Sequence, residues 1–117
     1  MFRQLFDPVS STYSYLLGCD DSREAVVIDP VFEQHARDAA LIRELGFKVR
    51  YVLDTHVHAD HVTGAWLMRS LMNADIVLSK RYGIEEVDVA VDDGDVLGFG
   101  NCSLAVLATP GHTNGCL

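Results

Sequence analysis

Apolar residues along this chain fall into short runs of two different periods, and their alternation predicts strands interleaved with helices. Tyr13 to Cys19 is rich in aromatic and aliphatic residues and reads as a strand. Asp20-Asp21-Ser22 makes a turn, and Ala25-Val26-Val27-Ile28 returns as a second, buried strand ended by Asp29-Pro30. From Glu33 to Leu45 the spacing becomes helical. Leu41, Ile42 and Leu45 share a face, Val31 leads in, and Gly46 suits the position just past a helix end. Lys48 to Asp54 is again a strand, and its C-terminal end runs into a histidine-rich segment.

Beyond that segment, Val62 to Met72 reads as a second helix carrying Trp66, Leu67 and Leu71. Ile76-Val77-Leu78 is a short strand, and Val87 to Val91 is extended. Asp92-Asp93-Gly94-Asp95 turns the chain before a strand from Val96 to Phe99. Gly100-Asn101 is a hairpin signal, and a strand from Cys102 to Thr109 leads into the loop Pro110 to Gly115. Strand–helix–strand alternation with hairpins near both ends predicts an α/β sheet layered with helices. Internal repeats and low-complexity tracts are absent from the sequence.

A length of 117 residues with 49% apolar content fits one modest globular domain. Seventeen acidic against nine basic residues give a net charge of −8, which argues against a nucleic-acid footprint and against an anionic membrane surface. No apolar run approaches the length of a membrane span. The first residues lack a signal-peptide core, since Asp7 and Pro8 interrupt it, and they are unlike an Arg- and Ser-rich transit peptide. Cys19, Cys102 and Cys116 are odd in number and far apart in sequence, so a disulfide scaffold is not expected. Reduced thiols in a cytoplasmic protein are the expectation, each a small core hydrophobe, with Cys116 close enough to a candidate ligand to sit near the site.

The candidate chemistry lies in Thr55-His56-Val57-His58-Ala59-Asp60-His61, where three imidazoles and a carboxylate occupy seven residues. Neutral imidazoles and carboxylates are what a transition-metal site needs. If the segment is extended, His56 and His58 project to the same side and can share one ion or flank it. Asp60 and His61 follow a turn and can serve a second ion or support the ligands from behind. His112 lies in the second loop that follows a predicted strand, so both histidine-bearing loops start from rigid strand ends. Three histidines, His56, His58 and His112, can hold zinc alone, whereas mononuclear iron asks for two His and one carboxylate. Asp54 and Asp60 are the nearest carboxylates in sequence, and neither is an obvious third ligand.

Other tempting residues have plainer readings. His35 reads as a surface residue, Trp66 as helix packing, and Tyr13 and Tyr15 as strand residues on one face. Lys80 and Arg81 read as a solvated loop. Asp29 is either a turn residue or an acceptor behind the ligands, and Asp54 either supports the ligands or caps its strand.

Thr-His-x-His-x-Asp-His resembles the signature of the metallo-β-lactamase superfamily. Its extension, His-Ala-Asp-His-Val-Thr-Gly over His58 to Gly64, resembles the persulfide dioxygenase branch, beside the glyoxalase II thioesterases. Phe2 to Ser10, Thr12 to Gly18, Ile28-Asp29-Pro30-Val31, Asp92 to Asp95 and Pro110-Gly111-His112-Thr113 also resemble that branch. One departure is Asn114, where a proline is common in this loop. The resemblance covers the whole chain but only about the first half of a family member. It implies that residues 1–117 are the N-terminal half of an αββα sandwich, truncated at the C-terminus. The unfinished ligand set and the strand-like Gly115-Cys116-Leu117 point the same way.

The resemblance further implies His56 and His112 as ligands of a single Fe(2+), with an Asp beyond Leu117 as the third. His58, Asp60 and His61 would then support the ligands or stay unused. The implied activity oxidises glutathione persulfide to sulfite and glutathione with dioxygen, and the fragment alone is expected to be inactive. One alternative is a glyoxalase II-like hydrolase of glutathione thioesters with a dinuclear metal site, and the alternative metal to iron is Zn(2+), as one or two ions. Another is a non-catalytic metal-binding remnant. Expected partners are small glutathione-derived molecules and a second copy in a homodimer. A fused or separate sulfurtransferase is a further expected partner.

Overall fold

The computed structural model describes residues 1–9, 12–55, 69–80 and 87–108. A six-stranded sheet carries most of it: β1 (Phe2–Asp7), β2 (Thr12–Gly18), β3 (Glu24–Ile28), β4 (Lys48–Leu53), β5 (Asp75–Ser79) and β6 (Val89–Val91), in that spatial order. β1, β2 and β3 pair antiparallel, and β3 through β6 run parallel. A second sheet holds the antiparallel pair β7 (Val96–Phe99) and β8 (Cys102–Ala105).

The crossover between parallel β3 and β4 is a turn of 3-10 helix, Phe32–Gln34, followed by α1 (His35–Leu45). Gly46 ends the helix at φ 75°, a left-handed backbone that glycine adopts freely. Its N–H donates to the Arg43 carbonyl and that of Phe47 to the Ile42 carbonyl, which satisfies two of the helix's last acceptors. Ala39 and Ile42 are buried against the sheet. Leu16, Ala25, Val27, Val49 and Val52 line that face, Val49 and Val52 sharing it because the β3–β4 register shifts by one residue between them. On the opposite face Val26, Leu53 and Val77 pack toward Leu97, Phe99 and Val106 of the hairpin region. The chain is therefore layered helix, sheet, sheet. This is the α/β layering read from the sequence, and no helix among the described residues is long and apolar enough to cross a membrane.

Several boundaries differ from the sequence reading. Phe2–Asp7 forms an edge strand that hydropathy did not mark, because four of its six residues are exposed and pairing with β2 supplies its order. β8 stops at Ala105, four residues before Thr109, because the Val106 N–H donates to the Asp95 carbonyl instead of to a ladder partner. Residues 69–72 are helical, the end of the helix expected over 62–72, while its start and Trp66 lie outside the described residues. His35 is half-buried at the start of α1, close enough to Asp38 to favour the charged form of that carboxyl.

Candidate functional site

Strand direction places one group of ends along a single edge of the main sheet. β3, β4 and β5 are parallel and finish there; β1 also finishes there, and β2 begins there because it runs antiparallel to both neighbours. Burying a polar group without a partner costs several kcal/mol in an apolar setting, roughly 2–7 kcal/mol. Buried polar residues are therefore informative where they cluster. Asp7 at the end of β1, Ser14 near the start of β2, Asp54 just past β4 and Ser79 at the end of β5 are all buried, and all lie on this edge. In open α/β sheets, ligands are met at the carboxyl ends of parallel strands.

Asp29 organises the centre of the edge. It follows β3 directly and adopts φ 53°, a left-handed conformation that Asp tolerates better than most residues. Its N–H donates to the Leu53 carbonyl at 2.8 Å, and its own carbonyl accepts the Ser14 hydroxyl at 2.6 Å. The carboxylate is left to grip Thr55. Thr55 N–H donates to Oδ1 at 2.7 Å and Thr55 Oγ1 donates to Oδ2 at 2.6 Å. Asp29 is thus both the turn residue and the acceptor, the two readings its sequence context offered. Asp54, 5% exposed, donates its N–H to the Val77 carbonyl at 3.3 Å. The two residues before His56 are therefore held from the two flanking strands, Thr55 from the end of β3 and Asp54 from β5.

The stem that precedes the second histidine-bearing loop packs at the same place. Ile28, Leu53 and Thr55 form one wall of a cleft of about 310 Å³, and residues 104–107 form the other. Ala108 N–H donates to Asp93 Oδ1 at 2.9 Å, which holds the end of that stem to the acidic turn at 92–95. Leu53, Val106 and Leu104 share one apolar cluster, so both stems are packed and not merely close.

A second polar group sits at the start of α1, also toward this edge. Arg37 Nε donates to Asp38 Oδ1 at 3.0 Å, Arg37 Nη1 donates to the Phe6 carbonyl at 2.8 Å, and Gln34 donates to Asp7 Oδ1 at 3.0 Å. Asp38 Oδ2 and Arg37 Nη2 are buried with no hydrogen-bond partner. Burial pushes the Asp38 carboxyl up, against the adjacent Arg37, which favours the charged form.

His56, His58, Asp60, His61 and His112 lie outside the described residues, as do Cys116 and Asn114. Among the described residues no group of three or more His, Cys, Asp or Glu side chains could hold a metal ion. What the structure brings together are the two stems that lead to the histidines. Lys80 is exposed, as a solvated residue should be, and Tyr13 and Tyr15 share a face, stacked against Phe6 and Phe2 at 4.8 and 5.8 Å between ring centroids. Sequence reasoning missed Asp7, Ser14 and Ser79. The available signal was a small or charged residue set into an otherwise apolar strand, as Ser79 follows Ile76-Val77-Leu78.

The sequence matches the family described as the metallo-beta-lactamase superfamily over residues 7–117. The mitochondrial persulfide dioxygenase ETHE1 of Homo sapiens is 49% identical over 117 residues, which is all of this chain and 46% of its own length. A hydroxyacylglutathione hydrolase of a Polaromonas species is 36% identical over 104 residues, covering 86% of this chain and 39% of its own. Among solved structures, ETHE1 from Myxococcus xanthus superposes with a TM-score of 0.92 at 46% identity, over 99% of this chain and 51% of that one. The chain spans about half the length of these relatives.

Proposed function

The chain belongs to the metallo-beta-lactamase superfamily, and from that premise we propose that its residues serve a persulfide dioxygenase, acting on glutathione persulfide. The observation that carries the reading is the convergence of two stems on one cleft: Thr55, gripped by Asp29, and residues 104–107. Each stem leads within a few residues to a histidine, His56 on one side and His112 on the other. Greater identity to the dioxygenase relative than to the thioester hydrolase, 49% against 36%, supports the first chemistry over the second.

The donor types fit iron. His56 and His112 supply neutral imidazoles, and a ferrous site asks for two of them with one carboxylate. Bound there, ferrous iron would supply a centre at which dioxygen and a sulfur ligand can meet. The chain's own residues do the rest. Asp29 fixes the backbone and hydroxyl of Thr55, so the ordering cost of the first ligand is met before any ion arrives. Ile28, Leu53 and Val106 make the cleft walls apolar. By the resemblance, His58, Asp60 and His61 would support the ligands or stay unused. The reaction balances as glutathione persulfide plus dioxygen plus water giving glutathione, sulfite and two protons, the outer sulfur losing four electrons to dioxygen.

Oxygen uptake with glutathione persulfide, measured beside the metal content of the whole gene product, tests the proposal. One iron per chain and sulfite formation are expected. His56→Ala and His112→Ala should each abolish both, and His58→Ala should be milder. Hydrolysis of a glutathione thioester with two metals bound and no oxygen uptake would overturn the assignment.

A further inference from the structure

Two of the three cysteines, distant in sequence, meet at the end of the molecule opposite the candidate site. Cys19 follows β2 in a tight turn: its N–H donates to the Glu24 carbonyl and its carbonyl accepts the Arg23 N–H, both at 2.8 Å. Cys102 begins β8, directly after the Gly100-Asn101 turn, where Gly100 holds φ 66°. The turns are tied to each other. Cys19 Sγ donates to Asn101 Oδ1 at 2.7 Å, and Asn101 Nδ2 donates to Asp21 Oδ2 at 3.0 Å. Cys19 and Cys102 pack in one cluster with Val26 and Phe99, and the Cys102 thiol donates a hydrogen bond to the Cys19 sulfur. Both are free thiols, Cys19 2% exposed and Cys102 half-buried.

We propose that Cys19 and Cys102 are a modification site, forming a reversible disulfide that ties the main sheet to the β7–β8 hairpin, with oxidised glutathione or a similar small disulfide as oxidant. The two sulfurs have unequal roles. Cys102 is the more exposed and meets the small disulfide first. Its thiolate attacks one sulfur of that molecule, forming a mixed disulfide and releasing one small thiolate. Cys19 then attacks the Cys102 sulfur, forming the internal bond and releasing the second thiolate. Two protons leave the protein thiols, and the two electrons they give up reduce the small disulfide to two thiols.

Exposure sets this division, since Cys19 is buried and Cys102 is within reach of a small disulfide. The hydrogen bond from Cys102, helped by one from Ser22, lowers the Cys19 thiol to about 7, so a large share is thiolate near neutral pH. The same bond pushes Cys102 up, with Asp21 adding to it. Once Cys102 is capped, Cys19 still packs against it in the same cluster, so the resolving attack is intramolecular and the mixed disulfide does not accumulate.

Equilibration of the 117-residue chain in a series of reduced-to-oxidised glutathione ratios, followed by alkylation and peptide mapping, tests the proposal. A cross-linked peptide containing Cys19 and Cys102 is expected, with Cys116 still alkylated. The melting temperature should rise by about 5–15 °C and fall back on reduction, because the bond closes a loop spanning most of the chain. Cys19→Ser should instead accumulate the glutathione adduct on Cys102, and Cys116→Ser should leave the cross-link intact. Mapping of the unsubstituted chain decides the matter even if a variant fails to fold. Two alkylatable thiols at the most oxidising ratio, a stable mixed disulfide on Cys102, or a cross-link through Cys116 would each overturn it.

Discussion

Replacing Asp29 by alanine removes both carboxylate bonds to Thr55 and leaves that N–H and hydroxyl without their acceptor. A hydrogen bond to a charged group contributes about 1.5–3 kcal/mol, and the half-buried setting of Thr55 places these near the lower figure. Two such bonds amount to roughly 3 kcal/mol. Alanine at φ 53° adds about 1 kcal/mol that aspartate partly avoids. Asp29→Ala should therefore lose about 4 kcal/mol, a large part of a typical stability of about 5–15 kcal/mol. Asp29→Gly, free of the backbone penalty, should lose about 3 kcal/mol. Asp29→Asn keeps an acceptor for the Thr55 N–H, and its amide can donate to the hydroxyl, so its loss should stay near 1 kcal/mol. Denaturant unfolding measures all three. A cycle of Asp29→Ala with Thr55→Val should show coupling of about 1 kcal/mol or more. Metal affinity, read by chelator competition, should fall about 10–100-fold in Asp29→Ala, since Thr55 holds the start of the histidine run. Stability of Asp29→Ala within 1 kcal/mol of the parent, or an additive cycle, would refute the claim that this carboxylate carries the loop.

Three further outcomes follow from other parts of the structure. The raised Asp38 carboxyl keeps its proton in the folded chain at a pH where the unfolded chain has lost it. Its favourable contribution is thus full below the ordinary carboxylate value and fades as pH rises through the raised one. Asp38→Asn should flatten that part of the pH–stability curve, and an unchanged slope would count against the burial argument. At Gly18 an added Cβ would lie 2.5 Å from the Phe47 ring, so Gly18→Ala should cost about 1–3 kcal/mol, and Phe47→Leu in the same chain should restore part of it, as paired melting curves would show. Phe2, Phe6 and Tyr13 are 63%, 43% and 49% exposed on one face of β1 and β2, so the isolated chain should self-associate and Phe2→Ser with Phe6→Ser should reduce it. Sedimentation of a strictly monomeric parent chain would contradict this.

The layering was legible in the sequence because two periods alternate cleanly. Ala25 to Ile28 and Ile76 to Leu78 are apolar runs too short for helices, and Leu41, Ile42 and Leu45 fit no strand. Gly46 marked a helix end through backbone chemistry that few residues share. The candidate ligands were legible for another reason, the rarity of three imidazoles in seven residues. Less could be read wherever order comes from pairing across the chain. β1 has no hydropathy signature because its inner partner is β2 alone. The Cys19–Cys102 contact joins two turns that sequence reading found but could not bring together, although both thiols are free and packed among apolar side chains as expected. Asp29 offered two roles on paper because its φ and its hydrogen-bond partner are both tertiary facts.

The same distinction explains why the polar residues gather where they do. An apolar β3 core and an apolar β4 core could pair equally well with hydrophobic ends, and the sheet would lose nothing. Instead Asp7, Ser14, Asp29, Asp54 and Ser79 occupy one edge, and the Asp38–Arg37 pair stands beside it with two atoms unsatisfied. Each is a departure from the local rule that strand ends in a core be apolar or capped by solvent. Departures concentrated at one edge, while the Ala25, Val26, Val49 and Val52 region stays wholly apolar, mark that edge as the part held for something other than folding. The histidine run begins one residue beyond the tightest of these contacts, Thr55 on Asp29, which is where a preset ligand does most to lower the ordering cost of binding.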